Sequence, residues 1–233
     1  MYKYSPENAN IYSQLGVIGT TYEISFHELS RILGNLQGKI VLDYGTGTGR
    51  SARLLKTLGA EKVIGVDHNE SMIAQARTNH NERLDFHLIT ANTIPLPDAS
   101  VDVAVSAHVF VEIQNLAEMH TATQEVSRVL KPGGTFIIIA TNSASIGYEY
   151  KNYRYIKKDE LKSGDPITCV VKGETPFEID DTYWTEEDYH QVLESNGFMK
   201  IRATFPLAMG EEWLDEVKIA PDIVLEYIKI FNK

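Results

Sequence analysis

Three alternating glycines, Gly45, Gly47 and Gly49, follow an apolar segment ending in Asp43, in the run KIVLDYGTGTGR at 39–50. Glycine lacks a Cβ and adopts positive φ without strain, so this spacing describes a backbone that turns sharply and lets a ligand approach the main chain. A second acid, Asp67, ends the apolar run KVIGV at 62–66, and the C-terminal ends of strands in an open parallel sheet are where ligands bind. A carboxylate there accepts hydrogen bonds from both hydroxyls of a ribose; its alternative is to cap the helix that follows Asn69, Glu70 and Ser71. His108, in SAHVFVEI just past a fourth apolar run, carries the side chain that exchanges a proton near neutral pH. It is the candidate general base, with packing or the positioning of a backbone amide as the alternative.

Spacing separates the cofactors that use such a loop. Dinucleotide sites favour G-x-G-x-x-G, with amides facing a pyrophosphate. Here the pattern is G-x-G-x-G with an acid two residues before the first glycine; that acid repels a pyrophosphate and suits a cationic amino group. The pattern resembles the first motif of class I S-adenosylmethionine-dependent methyltransferases. The resemblance covers residues 36–140 well, extending through IPLPDASVDVAVS at 94–106 and VLKPGGTFII at 129–138, and the remainder loosely. It implies S-adenosylmethionine as cofactor and S-adenosylhomocysteine as product, held by Asp43, Gly45, Thr46 and Gly47, with Asp67 on the ribose and Met72 against the adenine ring. His68 and Ser106 are implied as further contacts. Aligning Pro95 and Asp98 with the family loop puts Thr90 where an acid commonly bonds the adenine amino group, with Ala91 and Asn92 adjoining.

Strand-like and helical runs alternate from residue 39 to about 140, the pattern of a parallel sheet covered by helices on both faces. Strands are expected over 39–43, 63–66, 85–89, 101–106 and 136–140, and helices over 50–58, 71–79 and 116–130, the last stopped by Lys131-Pro132-Gly133-Gly134. The expected fold is α/β: a Rossmann-like, mostly parallel seven-stranded sheet with a small inserted hairpin lid. One methyltransferase domain spans 1–233, with an N-terminal helical cap (1–38), a cofactor core (39–140), an acceptor lid (142–184), and a final helix and antiparallel strand pair (185–233). The lid is expected because 142–184 is too long for a plain connection, and because ITCVV at 167–171 and PFEID at 176–180 alternate like strands around a turn at 172–174. Thr185 and Asp188 have the spacing of a capping box.

The chain has 22 Lys and Arg against 32 Asp and Glu, a net charge of −10. That balance opposes a nucleic-acid partner, which needs a basic face; only Lys157 and Lys158 form a basic pair. The lone Cys169 can form no intrachain disulfide and reads as an ordinary strand residue, and the seven histidines lack metal-ligand spacing. No apolar run is long enough to cross a bilayer and MYKYSPENAN lacks a signal core, so a cytoplasmic protein without membrane attachment is expected. Oligomeric state is left open.

Tyrosines crowd the flanks of the core: Tyr2, Tyr4, Tyr12 and Tyr22 before it, and Tyr148, Tyr150, Tyr153, Tyr155 and Tyr183 in the insertion. They fit either lid packing or a flat or cationic acceptor; Tyr12 and Tyr22 are the expected lid-side cofactor contacts. The acidic stretch Glu178 to Asp188 favours either a basic substrate or the dipole of the helix beginning there. The expected function is methyl transfer to the oxygen or nitrogen of a small molecule. Within the resemblance, SAHVF stands where enzymes acting on base amines carry a proline-rich tetrapeptide, and the paired-glutamate hairpin of arginine methyltransferases is missing. A protein methyltransferase, a non-catalytic cofactor-binding regulator and a nicotinamide oxidoreductase are the alternatives.

Overall fold

The computed structural model describes residues 5–78, 83–90, 92–156, 158–173 and 175–231. Ala91 lies outside the described residues, as do Tyr2, Tyr4, Asn79, Lys157 and Glu174. Helices α1 (Pro6–Gln14) and α2 (Thr21–Leu33) precede β1 (Ile40–Tyr44), α3 (Arg50–Thr57), β2 (Lys62–Asp67), α4 (Glu70–Thr78), β3 (Leu84–Leu88), β4 (Val101–Ala107), α5 (Leu116–Val129) and β5 (Leu130–Thr141). There follow β6 (Tyr153–Tyr155), β7 (Pro166–Val171), β8 (Phe177–Thr182), α6 (Glu186–Ser195), β9 (Phe198–Thr204) and β10 (Asp222–Lys229).

Seven strands form one sheet in the order β3-β2-β1-β4-β5-β10-β9. The first five run parallel, and β10 runs antiparallel to both its neighbours. Helices cover both faces, which is why the strands read as continuous apolar runs rather than alternating ones. On one face Leu42, Ile64 and Ile138 pack with Met119 and Val126 of α5 and Val192 of α6. On the other, Val41, Val63 and Val105 pack with Leu29 of α2, Leu55 of α3 and Ile73 of α4. Each such side chain, removed from water, contributes about 1.5–3 kcal/mol. No helix among the described residues is long and apolar enough to cross a membrane.

The sheet order reverses between β1 and β4, and a crevice opens beyond the C-terminal ends of those neighbours. Because β10 is antiparallel, its first residue lies at this same edge: Asp222 pairs with Thr141, the last residue of β5. Strand β5 begins earlier than the Pro-Gly-Gly signal led us to expect. Leu130 already pairs with Val101, and a register shift before Val103 absorbs the irregular segment, with Gly133 at φ 78°.

The insertion is a separate three-stranded antiparallel sheet, β6-β7-β8. Its second and third strands coincide with the alternating segments of the sequence; β6, only three residues long, carries too little periodicity to be read. Buried Tyr150, Tyr153, Tyr155, Ile167 and Cys169 form its core with Tyr22 of α2. The lid is pinned to the cap by Asn152, whose Oδ1 accepts from the Thr21 amide at 2.8 Å. Trp184 Nε1 donates to the Ile113 carbonyl at 3.0 Å, tying its far end to the main sheet.

Candidate active site

The glycine loop turns through three positive φ angles, 73° at Gly45, 53° at Gly47 and 82° at Gly49. The three glycines serve different ends. A Cβ on Gly45 would lie 2.1 Å from Val109 Cγ2, and one on Gly49 would lie 2.9 Å from Phe86 Cζ, so both are close-packing positions. A Cβ on Gly47 meets no protein atom within 4 Å; it would project into open space in the crevice.

Asp43 does not line the crevice. Its fully buried carboxylate accepts from Thr46 Oγ1 at 2.5 Å and from Ser51 Oγ at 2.7 and 2.8 Å. These bonds give it a role inside the loop, joining strand end, turn and helix start. Thr46 is committed to the same bond. Burial pushes the Asp43 carboxyl up to about 6, against the lowering effect of the Thr46 and Ser51 hydroxyls.

Asp67 stands at the end of β2 with both oxygens engaged. Oδ2 accepts from the Gly47 amide and Oδ1 from the Asn69 amide, each at 2.8 Å. The helix-cap alternative belongs to Asn69, whose Oδ1 accepts from the Met72 amide at 3.1 Å. Burial raises the carboxyl of Asp67, while the Asn69 and Gly47 amides work the other way. Asp67, His68 and Gly45 line two adjoining hollows of about 520 and 880 Å³ of empty space, open solvent included. Tyr12, Gly47 and Met72 line the first. Asn92 lines the second and accepts from the Tyr44 hydroxyl at 3.1 Å.

Two expected contacts are placed elsewhere. Ser106 is fully buried within β4 and lines neither of these hollows. Thr90 lines only a shallower neighbouring hollow beside Ser71 and Leu88.

His108 follows β4 at φ 59°, a left-handed conformation that non-glycine residues seldom adopt, held by its amide's bond to the Ile139 carbonyl at 2.8 Å. It lines the first hollow and also a third, of about 350 Å³, whose walls include Tyr22, Tyr153, Tyr155, Cys169 and Asp181. The imidazole thus separates the glycine-loop side from the lid side. Its Nε2 lies 3.7 Å from Asp222 Oδ2 and has no hydrogen-bond partner. Asp222 is fully buried; it accepts from Tyr153 of the lid at 2.9 Å and from Ser25 of α2.

Tyr22 belongs to the lid-side hollow rather than to the cofactor side, with its ring edge-on to His108 at 5.4 Å between centroids. Tyr12 lines both. Arg50 connects them: its guanidinium lies 4.5 Å from each ring centroid and donates to the Tyr12 carbonyl at 3.1 Å. Sequence reasoning missed Arg50, Glu112 and Asp222, and read Asp181 only as one acid of the stretch from Glu178 to Asp188. Glu112 lines all three hollows; its position four residues after His108 was a usable signal. For Asp222 the only signal was an acid opening an antiparallel strand.

Comparison with known proteins bears on this geometry. Residues 42–138 match the methyltransferase domain family. The chain is 31% identical over 175 residues to a demethylmenaquinone methyltransferase of Tropheryma whipplei, covering 72% of this chain and 70% of that one. It is 28% identical over 169 residues to an N-demethylindolmycin N-methyltransferase of Streptomyces griseus, covering 69% and 70% respectively. A Streptomyces caelestis methyltransferase, CcbJ, superposes with a TM-score of 0.69 over 96% of each chain; at 19% identity this likeness speaks for the fold alone. On the sequence matches, the chain belongs to the class I S-adenosylmethionine-dependent methyltransferases.

Proposed function

We propose that this methyltransferase acts on an oxygen or nitrogen of a small molecule bound in the lid-side hollow, with His108 as general base. The observation that carries the reading is the placement of His108 between two hollows, one beside the glycine loop and one beneath the lid. The lining of the lid-side hollow by the buried rings of Tyr22, Tyr153 and Tyr155 favours a compact acceptor over a folded protein surface. The two curated relatives named above act, by their names, on small molecules, one of them at nitrogen.

The residues present fit S-adenosylmethionine. The open space beside Gly47 admits a ligand against the main chain, buried Asp67 offers a carboxylate to a pair of hydroxyls, and Met72 offers an apolar contact to a flat base. Bound there, the cofactor would supply a methyl group already activated by its sulfonium. The chain's own work is alignment, water exclusion and proton removal. Asp222, fixed by Ser25 and Tyr153, faces Nε2 and stabilises the imidazolium that forms.

The test is transfer of labelled methyl from S-adenosylmethionine to a panel of phenols, alcohols and amines, with a folded peptide library alongside. Labelled small-molecule product supports the reading, whereas label found only in peptide assigns a protein acceptor. Cofactor binding without transfer to either class points to the non-catalytic alternative.

A further inference from the structure

We propose that the lid-side hollow is built for an amine, carried in as its ammonium and methylated at nitrogen. The inference rests on the small-molecule reading above and concerns the same site. Two carboxylates, Asp181 and Glu112, line the hollow together with the rings of Tyr12, Tyr22, Tyr153 and Tyr155, and no lysine or arginine is among the described residues that line it. Such a wall is electronegative at every polar point, and a cation is the ligand it stabilises.

The charge is deliberate in its placement. Of the acids between Glu178 and Asp188, Asp188 closes the capping box of α6 and Glu186 pairs with Lys200, so these serve the helix. Asp181 alone among them lines the hollow, buried in β8 and accepting from the Tyr155 hydroxyl at 2.7 Å. Tyr153 donates in the same way to Asp222. A phenol that donates to a carboxylate carries a more electron-rich ring, a better partner for a cation. Arg50 occupies the rings of Tyr12 and Tyr22 from outside the lining, which leaves Tyr153 and Tyr155 as the rings facing an incoming ammonium. Burial pushes the Cys169 thiol up, and Asp181, Glu112 and Asp222 push the same way against the lowering effect of the Tyr155 hydroxyl.

An ammonium has no lone pair to give, so one proton must leave before the nitrogen can form its new bond to carbon. His108, which lines the same hollow, is its receiver. The methylated nitrogen then carries the positive charge released from sulfur, and the carboxylates stabilise that charge also.

Benzylamine and benzyl alcohol are size-matched probes differing in charge, and calorimetry on the full chain saturated with S-adenosylhomocysteine reads their affinities. Benzylamine should bind about tenfold or more tightly than the alcohol. Asp181→Asn should reduce that preference to about threefold or less, and Glu112→Gln, whose residue lies outside the strands of the lid sheet, provides a second reading if Asp181→Asn unfolds. Equal affinities, tighter binding of the alcohol, binding of neither probe, or a preference untouched by a folded variant would each overturn the inference. Transfer of labelled methyl to phenols or alcohols with no amine preference would refute it while leaving the small-molecule reading intact. An amine preference without transfer to any small molecule would refute that reading and retain the amine site.

Discussion

The Nε2 atom of His108 and the Oδ2 atom of Asp222 lie 3.7 Å apart at the C-terminal edge of the sheet, the first just past a parallel strand and the second opening an antiparallel one. The carboxylate is held from two sides, by the cap through Ser25 and by the lid through Tyr153. Cap, lid and sheet therefore meet at a single oxygen pair behind the imidazole. A carboxylate so placed orients the ring and stabilises its protonated form.

Asp222→Asn should keep the shape and one acceptor oxygen but remove the charge. We expect kcat to fall by about 10–10²-fold, part of the effect of a general base, with cofactor affinity unchanged. Steady-state kinetics across pH, with calorimetry for the cofactor, measures both. A parallel loss of cofactor affinity would place Asp222 in the cofactor site.

Asp67→Ala should weaken cofactor binding by about 1.5–3 kcal/mol through loss of charged hydrogen bonds. The structure adds a second consequence, because the Gly47 and Asn69 amides lose their acceptor. Isothermal calorimetry at fixed pH decides it, and wild-type affinity in the variant would remove Asp67 from the site.

The glycine loop offers a contrast between neighbours. Gly47→Val places its side chain in open space and should abolish measurable cofactor binding at a stability cost of about 1–2 kcal/mol for the positive φ. Gly45→Ala drives a Cβ onto Val109 and should chiefly lower the melting temperature. Cofactor titration and thermal unfolding of both variants separate the roles; retained binding in Gly47→Val would contradict the loop assignment.

Asp43 gives a pH signature. Its folded value of about 6 lies above the ordinary carboxylate value of 3.8, so between those two pH values the folded state binds more protons than the unfolded one. Its contribution to stability is present below about pH 4 and is lost as pH rises through 6, to the extent of about 3 kcal/mol. Asp43→Asn removes that titration, so the stability of wild type relative to the variant should fall between pH 4 and 6 and stay level above 7. Denaturant unfolding of both proteins over this range measures it; a relative stability that rises with pH would reverse the sign and contradict the burial argument.

The sequence carried the core of this fold because each of its signals is local. Apolar runs such as KVIGV and FIIIA lie between two helical layers and so show no alternation to confuse them, and the positive-φ glycines sit next to the strand they terminate. His108 and Asp67 were legible for the same reason, each standing directly after or at the end of a readable strand. Asp222 and Arg50 were not, since each gains its role from a partner distant in the chain, His108 for the one and the rings of Tyr12 and Tyr22 for the other, and Asp181 was legible only as one acid of a stretch. Ser106 shows the limit of such local signals. A residue inside a strand faces one layer or the other according to register, and its place near the strand end did not reveal that it is buried in the sheet.

The central claim is that His108 takes the acceptor's proton from its place between the two hollows. Its most direct test is His108→Asn, measured by single-turnover methyl transfer alongside cofactor calorimetry. The account predicts a rate lower by about 10²–10⁴-fold with cofactor affinity within about threefold of wild type. An unchanged rate, or a loss of affinity equal to the loss of rate, would contradict it.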